Sequence, residues 1–316
     1  MGTDACPEAP RADVPTGAGA RPDLVGGLLV ALAAGLFGAV VLFGKLALRE
    51  GLSVPSLLAI RFAVASVLLA LALTATRRPL AAARGERLGL VVLAVGGYAV
   101  ESSLFFSAAR HGTAAAVTLL FFTYPVFVAL ASWLLGRGAP ARLTSAALVM
   151  ALAGTALVVA TGSGLAIDGA GVALALGAAI TYTAYLLGAD ALLVGTHPMT
   201  SAMWVSAGAS AGLFVFAGVS GGLGLPRELV GWWPLLAMGA SSAGAFVAML
   251  AGLQRIGAVR TSIVAAAEPL AAAILGRAFL GERVSGGLVL GGALIVAAAV
   301  VASLARVATA REQQIP

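Results

Sequence analysis

Ten apolar stretches follow one another from residue 24 almost to the end of the chain, with only short breaks between them. They run at roughly 24–46, 55–75, 88–109, 113–136, 143–161, 170–189, 199–220, 231–253, 258–280 and 285–305. About 20 residues of α-helix rise about 30 Å, the thickness of a bilayer's hydrocarbon core. The pattern predicts an all-α membrane protein of ten transmembrane helices.

Composition agrees. Hydrophobic residues make up 60% of the chain and charged ones 10%, with a mean hydropathy of +1.03. A soluble chain carries about a quarter charged residues, so much of this surface faces lipid. The stretches lack the alternating polar positions of an outer-membrane barrel strand. The net charge of +6 comes from 19 Lys and Arg spread among the breaks, which points to membrane topology and not to nucleic acid. Cys6 is the sole cysteine, and His111 and His197 are the only histidines. No disulfide framework or multi-His metal site can be assembled, and no cofactor is expected. Residues 1–23 are rich in Pro, Gly and Ala, lack the apolar core of a signal peptide, and read as a disordered tail. Residues 306–316 read as a C-terminal tail.

The breaks carry helix-ending punctuation: Ser53 with Pro55, Arg77 to Pro79, Gly138 to Pro140, Pro198, Pro226 and Gly281 to Arg283. None is long enough for a soluble domain, so any site lies among the helices, where polar groups survive only inside a protein cavity. With the N-terminus placed in the cytoplasm, 12 of the 19 basic residues fall on the cytoplasmic side. The positive-inside bias thus sets both termini in the cytoplasm of a multi-pass inner-membrane protein.

Compared with itself, the chain shows a register shift of 145. It relates Gly26 to Gly171, Arg110 to Arg255, Gly112 to Gly257 and Gly136 to Gly281, while Pro125 and Pro269 differ by 144. Shared Gly, Arg and Pro landmarks argue for duplication, giving repeats at 24–161 and 162–305. Five passes per repeat is an odd number, so the second copy enters the membrane in the opposite sense. Two inverted five-helix repeats have the symmetry that alternating access needs.

The segment 253-LQRIGAVRTSIVAAAEPLAAAILGRAFLGERVSG-286, its counterpart 109-ARHGTAAAVTLLFFTYPVFVALASWLLGR-137 and the opening 33-AAGLFGAVVLFGK-45 together resemble the EamA branch of the drug/metabolite transporter superfamily. The resemblance covers about residues 24 to 305. It implies an inner-membrane carrier, commonly an exporter of amino acids or other metabolites, with its pocket between the halves. It carries over Glu268 and Pro269. The first half departs from the pattern in having Arg137 and Gly138 where the family has an acidic ending.

Glu268 falls near the bilayer midplane, where a charge costs roughly 2.5–3.5 kcal/mol. Pro269 cannot donate to the carbonyl of Ala265, so a free acceptor lies within a turn of the carboxyl. The pair reads as a substrate or proton site, or alternatively as a protonated helix-packing contact. Glu101 and Arg61 fall at comparable depth and are expected to form a buried ion pair locking the second and third helices, or alternatively a gate. Glu101 is also a substrate or coupling candidate. Tyr98, Tyr182 and Tyr185 place hydroxyls inside apolar runs, which suits a pocket for an amphipathic solute, although packing is the commoner role of such rings. Phe37, Phe246 and Tyr124 carry less weight. Trp204, Trp232 and Trp233 read as interfacial anchors, and the two histidines as loop residues. Lys45 ends the first span, with Asp190 at its repeat position. Gly208-x-x-x-Gly212 and Gly287-x-x-x-Gly291 offer small faces for contacts within a monomer or across a homodimer.

A secondary transporter of a small metabolite, proton-coupled or exchanging, is the leading expectation. A membrane-embedded enzyme is the rival, against which stands the absence of His-Glu-x-x-His, of Gly-x-Ser-x-Gly and of a cluster of His and carboxylates at one depth. A channel or scaffold is the third reading. The segment from Gly38 to Lys45 lacks the spacing and the Ser or Thr of a phosphate-binding loop, so ATP-driven pumping would need another subunit.

Overall fold

The computed structural model describes residues 24–49, 52–137, 139–160, 167–219, 224–225, 231–281 and 286–312. The predicted N-terminal tail lies outside them. The described residues are helical apart from turns and one isolated bridge between Gly112 and Ile167. The first half contains α1 (Leu24–Arg49), α2 (Val54–Ala75), α3 (Arg87–Ala108), α4a (Ala114–Phe121), α4b (Tyr124–Leu134) and α5 (Arg142–Ala160). The second begins with α6 (Gly169–Leu192) and α7 (Pro198–Val219). The helical segment Trp232–Ala265 is then interrupted at Gly257, where φ is 74° and ψ 166°. We label the parts on either side α8 (232–256) and α9a (258–265). They are followed by α9b (Glu268–Leu280) and α10 (Gly286–Glu312).

Seven of the described helical segments are long and apolar enough to cross a membrane, and shorter apolar stretches occupy Arg142–Leu157 and Gly286–Ala302. Bulky side chains point outward: Leu28, Leu71, Leu134 and Phe279 are all at least 60% exposed. Ala33, Ala65, Ala178 and Ala209 are fully buried. Small residues inside let helix backbones approach, while Leu, Val and Phe outside meet lipid. Helix starts are capped locally. Ser53, Thr113 and Asp168 each accept a hydrogen bond from a backbone N–H three residues on, opening α2, α4a and α6.

The inter-helix pairings follow one rule. α1 packs on α8 and α9, and correspondingly α6 packs on α3 and α4. α2 packs on α8, and α7 on α3; α2 packs on α7, and α5 on α10. Each pairing is exchanged or preserved when every helix of one half is replaced by its counterpart in the other. The correspondence reaches single residues. A methyl group at Gly26 would stand 2.6 Å from Ile256, and one at Gly171 would stand 2.8 Å from His111, positions related by 145 in both cases. Only glycine allows these two crossings.

Directions are equally plain. Gly26 lies beside Ile256 and Gly44 beside Met238, so α1 and α8 are antiparallel. Gly89 lies beside Leu192 and Gly97 beside Tyr185, so α3 and α6 are antiparallel. In α2 and α7, Ser210 Oγ donates to the carbonyl of Ala59, and at the far end Thr200 Oγ1 donates to that of Pro79, again giving an antiparallel pair.

Both fourth helices are broken one residue before an Xaa-Pro pair, at Phe122-Thr123 and at Ala266-Ala267. A proline in the first turn of a new helix lacks only an N–H that would be unpaired there anyway. Gly136 and Gly281 end these helices with φ of 76° and 70°, a left-handed turn that disfavours any side chain. The last helix runs to Glu312, beyond the stop expected near 305. Residues 306–312 contain neither Gly nor Pro, so nothing local terminates it. The face Gly208 to Gly212 is used within the chain, against Ala94 and Ala99 of α3.

Candidate functional site

The two breaks meet at the centre of the molecule. Tyr124, first residue after the α4 break, donates its buried hydroxyl to the carbonyl of Ser262 in α9a at 3.4 Å. Its own carbonyl accepts from Thr183 Oγ1 of α6, also at 3.4 Å. At each break the backbone tightens to i→i−3 bonds, from Thr123 to Leu120 and from Ala266 to Ile263, and the Tyr124 hydroxyl supplies a donor for the Ser262 carbonyl from the opposite half.

Around this crossing stands a box of aromatic rings. Tyr98 meets Phe62, Tyr182, Tyr185 and Phe246 edge-on, with centroid separations of 5.4, 6.2, 5.2 and 4.9 Å. Tyr182 stacks on Tyr185 at 5.8 Å and meets Tyr124 edge-on at 4.8 Å. Phe37 closes the box against Phe246 at 5.6 Å. Tyr98 sits in a π-helical stretch, Leu93–Ala99, whose wider turn shifts the register of α3 just before Glu101.

Three ionisable groups face this box. Arg61 and Glu101 are buried, at 7% and 6% exposure, whereas Glu268 is only partly covered. Glu101 and Glu268 both act electrostatically on Arg61, and Glu268 also on Tyr98, Tyr124 and Tyr182. The sequence candidates Glu268, Glu101, Arg61, Tyr98, Tyr182 and Tyr185 therefore converge, with Pro269 buried at the α9 break. The expected direct Arg61–Glu101 ion pair is not formed. Among the described residues the two lie more than 4.0 Å apart. The Glu101 carboxylate accepts instead from Ser102 Oγ at 3.0 Å, and the Arg61 guanidinium lies 4.1 Å over the Phe62 ring. The guanidinium also hydrogen-bonds the Tyr98 side chain, and Glu101 acts on it through space.

A second polar assembly joins the halves at one end of the bundle, between the α2–α3 connection and the α6–α7 connection. Glu86 accepts from the backbone N–H groups of Val194, Gly195 and Thr196 at 3.1, 2.6 and 3.0 Å. Burial pushes its carboxyl up, but these bonds and the Thr196 side chain outweigh that and hold it below the ordinary carboxylate range. Thr196 Oγ1 accepts from Ala83 N–H, and Trp204 Nε1 donates to the Leu80 carbonyl. Gln254 Nε2 donates to the Leu193 carbonyl, and Arg137 pairs with Asp190 at 2.5 Å. His197 contacts Arg78; burial first, then that neighbouring charge, hold its imidazole below the usual value. At the opposite end His111 pairs with Asp168 at 3.1 Å, and the Gly171 backbone bond followed by His111 holds the Asp168 carboxyl below its usual value. The histidines and Trp204 thus have specific partners.

Sequence reasoning gave Tyr124 and Phe246 too little weight and overlooked Phe62 and the Glu86 clasp. The repeat register held a signal for Tyr124 and Phe246, and for Phe37 as well. Phe246 is the counterpart of Glu101, Phe37 that of Tyr182, and Tyr124 stands opposite Glu268 at the shift of 144. Glu86 had no such signal, because its counterpart is Gly231.

A bundle of apolar helices, broken twice at its centre around buried charges and tyrosines, defines a multi-pass membrane protein of the solute-transporter class. The chain matches the EamA-like transporter family over residues 24–160 and 169–304, and it belongs to that family, within the drug/metabolite transporter superfamily. No curated protein sequence matches it. A solved structure titled "Crystal structure of protein" shares the fold, with a TM-score of 0.74 at 20% identity over 92% of this chain and 99% of the other.

Proposed function

We propose that the protein is a secondary transporter that exports a small amphipathic metabolite, an amino acid or related solute, by alternating access between two inverted five-helix units at 24–161 and 162–305. In this reading ten helices cross the inner membrane of a bacterium and both termini are cytoplasmic. One observation carries the proposal: both halves contribute to a single aromatic and charged centre at two broken helices. Irregular backbone at such depth is tolerated where it lines a cavity, and carriers bind cargo there. The antiparallel pairs α2–α7, α1–α8 and α3–α6 support inversion, because short connections force each helix to run opposite to its sequence neighbour.

The Glu86 clasp supports a gate. It ties the two halves at the end that holds Arg77, Arg78, Arg84, Arg87 and Arg137, which the positive-inside rule assigns to the cytoplasm. A carrier must break such ties in each cycle. Glu268, partly uncovered beside the Pro269 break, is the group best placed to exchange a proton or a cationic part of the cargo. The test is reconstitution in proteoliposomes of known sidedness. Saturable counterflow of one solute and outward transport driven by a proton gradient are expected. Unsaturable ion current would make the protein a channel and overturn the proposal.

A further inference from the structure

A groove of about 450 Å³ lies between α1 and α2 along one face of α8, with Met199 from the first turn of α7 in its wall. The wall is built of Leu, Ala, Val, Met and Gly, and Leu32 and Leu68 in it are 55% and 38% exposed, so the groove opens sideways to lipid. On α8 the lining runs from Ala240 to Ala251, a rise of about 16 Å, close to the half-thickness of about 15 Å that the acyl chains of one leaflet fill. Leu29 lies near the start of α1 and Ala72 near the end of α2. The groove therefore belongs to a single leaflet, the one beside the Glu86 clasp.

Basic side chains stand at its mouth. Arg255 is one turn beyond Ala251 on the same row of α8, and a methyl group at Gly26, one turn before Leu29, would stand 2.9 Å from it. Arg78, just past the end of α2, contacts His197, whose ring accepts from the backbone N–H of Met199. Gln254, next to Arg255 in the chain, donates to the carbonyl of Thr196, next to His197, at 3.5 Å, which brings both arginines to one rim. Both are exposed, whereas Glu86 and Asp190, acidic groups at this end, are engaged by backbone N–H groups and by Arg137. A hydrocarbon slot one leaflet deep with cations at its water-side mouth has the polarity that complements an anionic phospholipid.

We propose that the groove seats one acyl chain of an anionic phospholipid of the cytoplasmic leaflet, whose phosphate is held by Arg255 and Arg78. Helices α1 and α2 belong to one half and α8 to the other, so the lipid bridges the halves beside the Glu86 clasp. The site rests on the membrane class and the positive-inside orientation, and is independent of the cargo.

The experiment is native mass spectrometry of the full-length protein, delipidated in detergent and titrated with dioleoyl phosphatidylglycerol or dioleoyl phosphatidylcholine. One phosphatidylglycerol should bind at least tenfold more tightly than phosphatidylcholine. Arg255→Gln should cut that preference at least threefold, whereas Arg110→Gln, its repeat counterpart at the opposite end, should leave it unchanged. Ala251→Phe, which fills the groove and keeps the arginines, should weaken the binding of both lipids. Equal affinity for the two lipids, an equal loss in Arg110→Gln and Arg255→Gln, or undiminished binding by Ala251→Phe would overturn the site. So would a dimer that binds neither lipid, which would give the groove to a second copy of the chain. If Ala251→Phe does not fold, the parent's preference and Arg255→Gln still decide.

Discussion

The breaks in α4 and α9 use the same backbone device and do different things with it. Each has a short helical piece, a two-residue turn, a proline in the next first turn and a left-handed glycine at the far end. In the first half the residue before proline is Tyr124, a neutral group whose hydroxyl is tied to Ser262 across the molecule. In the second it is Glu268, an ionisable group that is only partly covered. One break is bolted, and in the proposed reading the other is the one that exchanges a proton or cation. The two breaks share one geometry, and on the carrier reading the difference at one side chain separates fixing a hinge from using it.

The sharpest way to break this comparison is Glu268→Gln. It removes the ionisable group and keeps the shape, so proton-driven transport should fall at least tenfold while solute exchange persists, as read in proteoliposomes with and without a pH gradient. An unchanged response to the gradient would make the two breaks equivalent after all.

Glu86→Gln comes next, because the clasp resists the motion that the breaks permit. Replacing a charged acceptor of three N–H bonds by a neutral amide weakens bonds that are roughly twice as strong as neutral ones. Thiol labelling of Ala82→Cys, a position 2% exposed beside the clasp, in a Cys6→Ser background, should speed up severalfold, while labelling near the His111 end slows. Faster labelling at both ends would signal general loosening in place of a gate.

Acidity should act in the same direction. The Glu86 carboxyl is held low, so its contribution is present above the unfolded carboxylate value and is lost as pH falls through its own lower value. The His197 imidazole is also held low, so below its unfolded value it takes up a proton less readily when folded, and the charge it gains sits beside Arg78. Both effects loosen the clasp on acidification. Ala82→Cys labelling, corrected for the thiol's own pH dependence, should therefore accelerate as pH drops from neutrality, and a flat profile would assign the closure to packing alone.

Tyr124→Phe leaves the Ser262 carbonyl without its donor and should cost about 1 kcal/mol, about 1–2 degrees in thermal unfolding. If proton-driven transport fell as it does for Glu268→Gln, the bolt would belong to the chemistry. The smallest effect is also the most symmetric. Gly136→Ala and Gly281→Ala each place a side chain at positive φ with no neighbouring atom to clash, so each should cost about 1 kcal/mol, and equally.

The sequence by itself determined the membrane class, the helical architecture and the family, because hydrophobic length, proline and glycine punctuation and a repeat register are properties of position along a chain. It also reached most residues of the site: in a span with almost no charge, Glu268, Glu101 and Arg61 are conspicuous from cost alone. Only the tertiary structure decided how they pair. Whether Arg61 meets Glu101 or the ring of Phe62 depends on side-chain direction, which the π-helical turn at Leu93–Ala99 resets by less than any periodicity can register. The Glu86 clasp was hidden for the same reason. A carboxylate in a polar loop looks solvated until folding brings it against three backbone N–H groups more than a hundred residues away.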